Sequence, residues 1–158
     1  MLRKFVSSLL VICMLAGCGG SEKDTAATEK STQSAADVAA DIVEDLNLKD
    51  SMEEVKSRVV KGMFFQGEDV TENACVYFSS TSGNSDTVGV FISEDTAAVT
   101  DYLHEYLEEQ KAQTQTYYPE EVFKISNAIV DENGSMVILV ICNNIEEAKT
   151  KVNEVLGK

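Results

Sequence analysis

Tryptophan is missing from the 158-residue sequence, proline and histidine occur once each (Pro119 and His104), and 13 basic residues stand against 27 acidic ones. These shortages exclude several classes of protein. A lone histidine with no cysteine near it in sequence cannot supply a histidine-based zinc site, so no metal centre is expected. The net charge is −14, and setting aside Arg3 and Lys4 of the N-terminal segment leaves 11 basic against 27 acidic residues, a net of −16. A field of that sign repels nucleic acid and anionic headgroups, which excludes a nucleic-acid partner and a basic membrane-binding surface. The apolar stretch Phe5 to Leu15 is shorter than the about 20 residues needed to cross a bilayer.

Cysteine is scarce where it would matter. Cys13 and Cys18 lie in and just after the apolar N-terminal stretch, leaving Cys75 and Cys142 for a folded domain. Both sit in apolar, strand-like runs and read as buried small hydrophobes, with a disulfide as the alternative that spacing alone does not decide. Neither has a histidine nearby to activate a thiolate.

The N-terminus carries an address. Met1-Leu2-Arg3-Lys4 is a positive start, the apolar stretch comes next, and it ends in Leu15-Ala16-Gly17-Cys18. Small residues placed directly before a cysteine resemble a bacterial lipoprotein signal. That resemblance implies removal of residues 1–17 and a diacylglyceryl thioether on Cys18, holding the protein at the outer side of the cytoplasmic membrane. Each buried CH₂ contributes roughly 0.8 kcal/mol, and two chains anchor stably where one is marginal. Residues 18–34 continue without an aliphatic side chain larger than Ala. They read as a disordered tether of about 20–25 Å mean reach.

A single domain is expected over residues 35–158. Ala35, Val38, Ala39, Ile42, Val43 and Leu46 recur at helical spacing, with acids opposite. A second helix is read from Ser51, with Glu54 completing a capping box and Met52, Val55, Val59 and Met63 as its apolar positions. Ala74 to Ser79 and Thr87 to Ile92 read as strands. A long helix runs from Ser93-Glu94-Asp95 to about Gln113, striped by Val99, Tyr102, Leu103, Tyr106 and Leu107. Pro119 marks where that helix must have stopped. Ile125 to Val130 and Met136 to Cys142 read as strands joined through Asn133-Gly134, a strong hairpin signal. A last helix opens at Asn144 with Glu147 three residues on, striped by Ile145, Ala148, Val152, Val155 and Leu156. The fold expected is α+β: a four-stranded, mostly antiparallel sheet from two strand–strand–helix units, preceded by one or two helices. Helices on one face would bury the stripes. The Met136 to Cys142 strand is apolar on both parities and should be central and covered on both faces.

No constellation commits the chain to a reaction, and no catalytic residue or cofactor is assigned. Val76 to Ser85 runs a strand into Ser80-Thr81-Ser82-Gly83-Asn84-Ser85, and this resembles the phosphate-binding loop of flavodoxins. The segment after it, Thr87 to Ile92, alternates like a strand rather than opening a helix, and too little chain remains for that parallel fold. Asp101, Glu105, Glu108 and Glu109 form an acidic stripe on the long helix, with His104 on the same side; both read as solvated surface. Glu120-Glu121 reads as first-turn placement at a helix start. Tyr117-Tyr118 either lines a groove or plugs the end of the core, and the plug is the expectation.

The C-terminal half carries a family pattern: a long amphipathic helix, Tyr118-Pro119-Glu120-Glu121, Ile125-Ser126-Asn127-Ala128-Ile129-Val130, Asn133-Gly134, a hydrophobic strand from Met136 and a closing helix. It resembles a lipoprotein family of clostridia-type organisms known as domain of unknown function 4358, over roughly Val38 to Leu156. The resemblance implies an envelope address but no activity or site residue. The expectation is therefore a lipid-anchored, non-enzymatic module that binds an envelope protein or other ligand. The alternative is a small-molecule or cofactor binder using the Ser79–Asp86 loop.

Overall fold

The computed structural model of the protein describes residues 34–158; the signal and lipidated Cys18 expected from sequence, and the expected tether up to residue 33, lie outside the described residues. Ser34, counted above as the end of the tether, is the cap of the first helix: its Oγ accepts a hydrogen bond from the Asp37 N–H at 3.2 Å. The elements in chain order are α1 (Ala35–Asp45), β1 (Met52–Glu54), α2 (Ser57–Phe64), β2 (Asn73–Ser79), β3 (Thr87–Ile92), α3 (Thr96–Tyr117), α4 (Val122–Ser126), β4 (Ile129–Asn133), β5 (Met136–Ile141) and α5 (Ile145–Leu156). Short 3-10 turns at Lys49–Ser51 and Pro119–Glu121 lead into β1 and α4.

The architecture is α+β, built on one antiparallel sheet of order β1-β2-β3-β5-β4. Five strands replace the four expected, because Met52–Glu54 is an edge strand and not the start of a helix. Met52 pairs with Ser79 and Glu54 with Tyr77, extending the sheet beyond β2. Ser51 is drawn into the same edge, its carbonyl accepting the Ser80 N–H at 2.8 Å. Backbone pairing to an already formed neighbour outweighs the weak local preference of a capping box.

The helix that does form, α2, buries Val60 and Phe64 and leaves Val59 and Met63 nearly half exposed. The phase read from sequence was one residue off. The aromatic cluster beneath decides it: Phe64 packs its ring against Tyr106, Phe78 and Phe91 at centroid separations of 4.3–5.8 Å.

Helices cover both faces of the sheet rather than one. On one face α1 and α5 pack Val38, Ile42, Ala148 and Val152 against Cys75, Val88, Val90, Ile138 and Val140. On the other, α2, α3 and α4 pack Phe64, Val99, Leu103 and Ile125 against Val76, Phe91, Val137, Leu139 and Ile141. Strand β5 sends alternate side chains to the two cores, which is why its sequence is apolar throughout and why it sits between β3 and β4.

Other boundaries shift. Ile125 lies in the last turn of α4 instead of opening a strand, and β4 begins four residues later at Ile129. The hairpin from Asn133 to Met136 turns at Gly134, whose φ of 62° suits glycine. Helix α3 runs on to Tyr117, past the end read at Gln113, and ends as Pro119 approaches. Asn144 stands at the start of α5 but donates its amide to Glu147 and caps no backbone N–H.

Candidate binding cleft

Helix α3 packs one side on the sheet over its first part, and the chemistry of that side changes partway along. Val99, Leu103, Tyr106 and Leu107 are buried in the core. The next positions on the same side are Gln110, Gln113, Thr114 and Tyr117, and here the helix overhangs a cleft of about 410 Å³. The opposite wall is the β2–β3 loop, Phe78 and Ile141 reach it from the sheet, and Met63 and Tyr118 complete the lining. None of the 17 lining residues is charged, although a quarter of the chain is. The cleft lies on the face of the sheet opposite α1, through which the chain enters the domain.

Tyr117 is three-quarters exposed and Tyr118 is 43% exposed, and both line the cleft. They do not plug the core. Tyr106 lies at the base and is buried, which pushes its hydroxyl up to about 12 despite an opposing side-chain hydrogen bond with Thr87.

The loop Ser79–Asp86 is held by its own hydrogen bonds. Ser79 N–H donates to the Asp86 carbonyl, Thr81 N–H to Ser79 Oγ, Asn84 N–H to the Thr81 carbonyl and Asp86 N–H to Asn84 Oδ1. Gly83 adopts φ of 81° with the Tyr118 ring against its α-carbon, so a Cβ there would stand 2.5 Å from Tyr118 Cε1. The loop continues into antiparallel β3 and opens no helix, whereas a flavodoxin-like phosphate loop leads directly into a helix N-terminus.

What pins the loop is a buried ion cluster that the sequence reading missed. Lys124 of α4 is 4% exposed, and its Nζ donates to Asp86 Oδ1 at 2.9 Å and Asn84 Oδ1 at 3.1 Å. It also lies 2.9 Å from Glu121 Oε2, giving the three ammonium hydrogens three acceptors. Glu121 Oε2 in turn accepts the Ser85 N–H at 2.8 Å. Burial alone would lower the Lys124 pKa, but hydrogen bonds and charge from Glu121 and Asp86 hold it above its ordinary value. Burial would likewise raise Glu121, and the Ser85 N–H with Lys124 more than offsets that, leaving its carboxyl below the usual range. The Glu121–Lys124 spacing was visible; the partner loop, 38 residues away, was not.

The remaining sequence candidates stay apart from the cleft. His104, Asp101, Glu105, Glu108 and Glu109 are exposed on α3, and Glu105 accepts a hydrogen bond from Gln66. Cys75 and Cys142 are buried free thiols. Cys75 pairs with Val90 in β3 while Cys142 comes directly after Ile141, which pairs with Thr87. Two strand spacings of about 4.8 Å and an offset of four residues at about 3.4 Å separate them far beyond disulfide reach. Burial and then the charge of Glu54 push the Cys75 thiol up to about 11, the reverse of an activated nucleophile. Among the described residues no group of three His, Cys, Asp or Glu side chains is placed to hold a metal, and no helix is long and apolar enough to cross a membrane.

Fold and cleft define an α+β domain with a five-stranded antiparallel sheet between two helical layers and one uncharged cavity at the end of its longest helix. The family model described as "Domain of unknown function (DUF4358)" matches residues 44–142, and the chain belongs to that family. No curated protein and no solved structure matches it.

Proposed function

We propose that the protein is a lipid-anchored module displayed outside the cytoplasmic membrane, and that it binds, without chemical conversion, a small uncharged ligand or ligand segment in the cleft between α3 and the β2–β3 loop. The observation that carries this reading is the composition of the cleft. A cavity of this size, mixing aromatic surface with a few amides and hydroxyls, has the make-up of a recognition site. It holds no carboxylate, histidine or thiol to move a proton or attack a bond. The phosphate alternative for the Ser79–Asp86 loop is weakened by the loop's hydrogen bonds, which use most of its N–H groups, and by Asp86 and Glu121 behind it. The anchor is supported by Leu15-Ala16-Gly17-Cys18 alone.

Two measurements test the halves of this reading. A fatty-acid analogue should label the native chain and not the Cys18→Ser variant; equal labelling of both removes the anchor. Neutral, anionic and cationic fragments titrated into the full chain should shift the NMR signals of cleft residues only in the neutral set. Shifts scattered over the surface, or absent, remove the cleft.

A further inference from the structure

Resting on that reading of the cleft, we infer that its ligand is a neutral saccharide. A sugar ring has C–H faces that lie flat on an aromatic ring and an equator of hydroxyls that each donate and accept a hydrogen bond. The cleft supplies both partners. Tyr117 and Tyr118 offer exposed ring surface at its rim. Gln110, Gln113 and Asn84 line it with amides, and Ser82 and Thr81 with hydroxyls, groups that donate and accept as the sugar does.

Asn84 is set for this task by the ion cluster behind it. Its Oδ1 accepts from both Lys124 Nζ and the Asp86 N–H, which fixes the orientation of its amide at the cleft wall and leaves Nδ2 as the group with donors to offer a ligand. A donor held before binding loses little rotamer entropy when a ligand arrives. Tyr118 is held in the same way by the backbone of Gly83 against its ring. A phosphorylated or carboxylated ligand would meet no cation in the cleft, and an acyl chain would leave the amides unpaired.

The test uses the full chain in a zwitterionic detergent, with chitohexaose and cellohexaose as neutral probes and a hyaluronan hexasaccharide and a neutral tetrapeptide as comparators. With no tryptophan present, emission comes from five tyrosines, three of which line the cleft. A saturable change with at least one neutral oligosaccharide, matched by calorimetric heat, is the expected result. Tyr118→Ala should weaken it by about three- to tenfold. Gln113→Ala, at an exposed position that the fold does not need, should weaken it as well, and His104→Ala should leave it unchanged. If neither neutral sugar binds while neutral fragments still shift cleft signals, the saccharide inference falls and the cleft stands. If no neutral compound occupies the cleft, both fall. Tighter binding of hyaluronan or of the peptide than of either neutral sugar overturns the inference.

Discussion

Lys124 Nζ and Asp86 Oδ1 meet at 2.9 Å with both side chains buried, joining α4 to the end of the β2–β3 loop. This contact and its Glu121 and Asn84 partners give the cleft one of its walls. A buried pair of this kind adds little over a well-packed apolar pair, but removing one member leaves a charge without water or partner.

Lys124→Met should therefore destabilise the domain by about 3–5 kcal/mol, leaving Asp86 and Glu121 facing each other. Urea unfolding at pH 7 measures it. The deficit should shrink at pH 5, where Glu121, no longer held low by Lys124, takes up a proton more readily. A loss under about 1 kcal/mol at both pH values would show that the cluster is not closed.

The pH profile should be flat from about pH 5 to 9 and fall on both sides. At the alkaline end Cys75 moves from its ordinary 9.0 to about 11 and Tyr106 from 10.0 to about 12, both chiefly by burial. Folded-state values above the unfolded ones contribute stability that is complete below pH 9 and is lost as pH rises through 11 and 12. Each rise corresponds to roughly 2.7 kcal/mol. Lys124, held above 10.5, adds to the same alkaline loss. At the acid end Glu121 and Asp131 are held below 4.5 and 3.8, so their contribution is present above those values and is lost as pH falls. Thermal unfolding monitored from pH 3 to 11.5 reads both limbs.

Gly83→Ala should cost about 1–2 kcal/mol for a side chain at positive φ and should displace the Tyr118 ring. Combining it with Tyr118→Ala removes the clash but not the backbone strain. The double variant should then lose less than the sum of the two single changes. Additive losses would mean that the ring does not rest on the glycine.

The family match covers residues 44–142, which omits nearly all of α1 and all of α5. A fragment with those ends would expose Val88, Val90, Ile138 and Val140 on one side of the sheet. Expressed alone it should aggregate or lack a cooperative unfolding transition, whereas residues 34–158 should show one. Burial of those side chains is worth roughly 1.5–3 kcal/mol each, more than a domain this small can lose.

Stripe spacing made the helices α1, α3 and α5 readable, because a helix that buries one side must repeat near 3.6 residues whatever it packs against. The two hairpins were legible for the same kind of local reason, their strands bounded by Ser/Gly/Asn runs. Of the cleft, the sequence marked the Ser80–Ser85 loop and Tyr117-Tyr118 as unusual, yet it did not join them. They are more than 30 residues apart in sequence and come together because β3, α3 and α4 return the chain to the same end of the sheet.

By itself the sequence determined the local elements, the acidic surface and the two-sided burial of β5, since each comes from residue type and period. Tertiary structure alone decided that Met52–Glu54 is a strand, that α2 turns Val60 and Phe64 inward, that helices cover both faces, and that Lys124 is buried. Those outcomes depend on which surface each segment meets. A short segment with weak local preference takes the conformation that completes a neighbour's hydrogen bonds, and a lysine is buried only where carboxylates from elsewhere in the chain receive it.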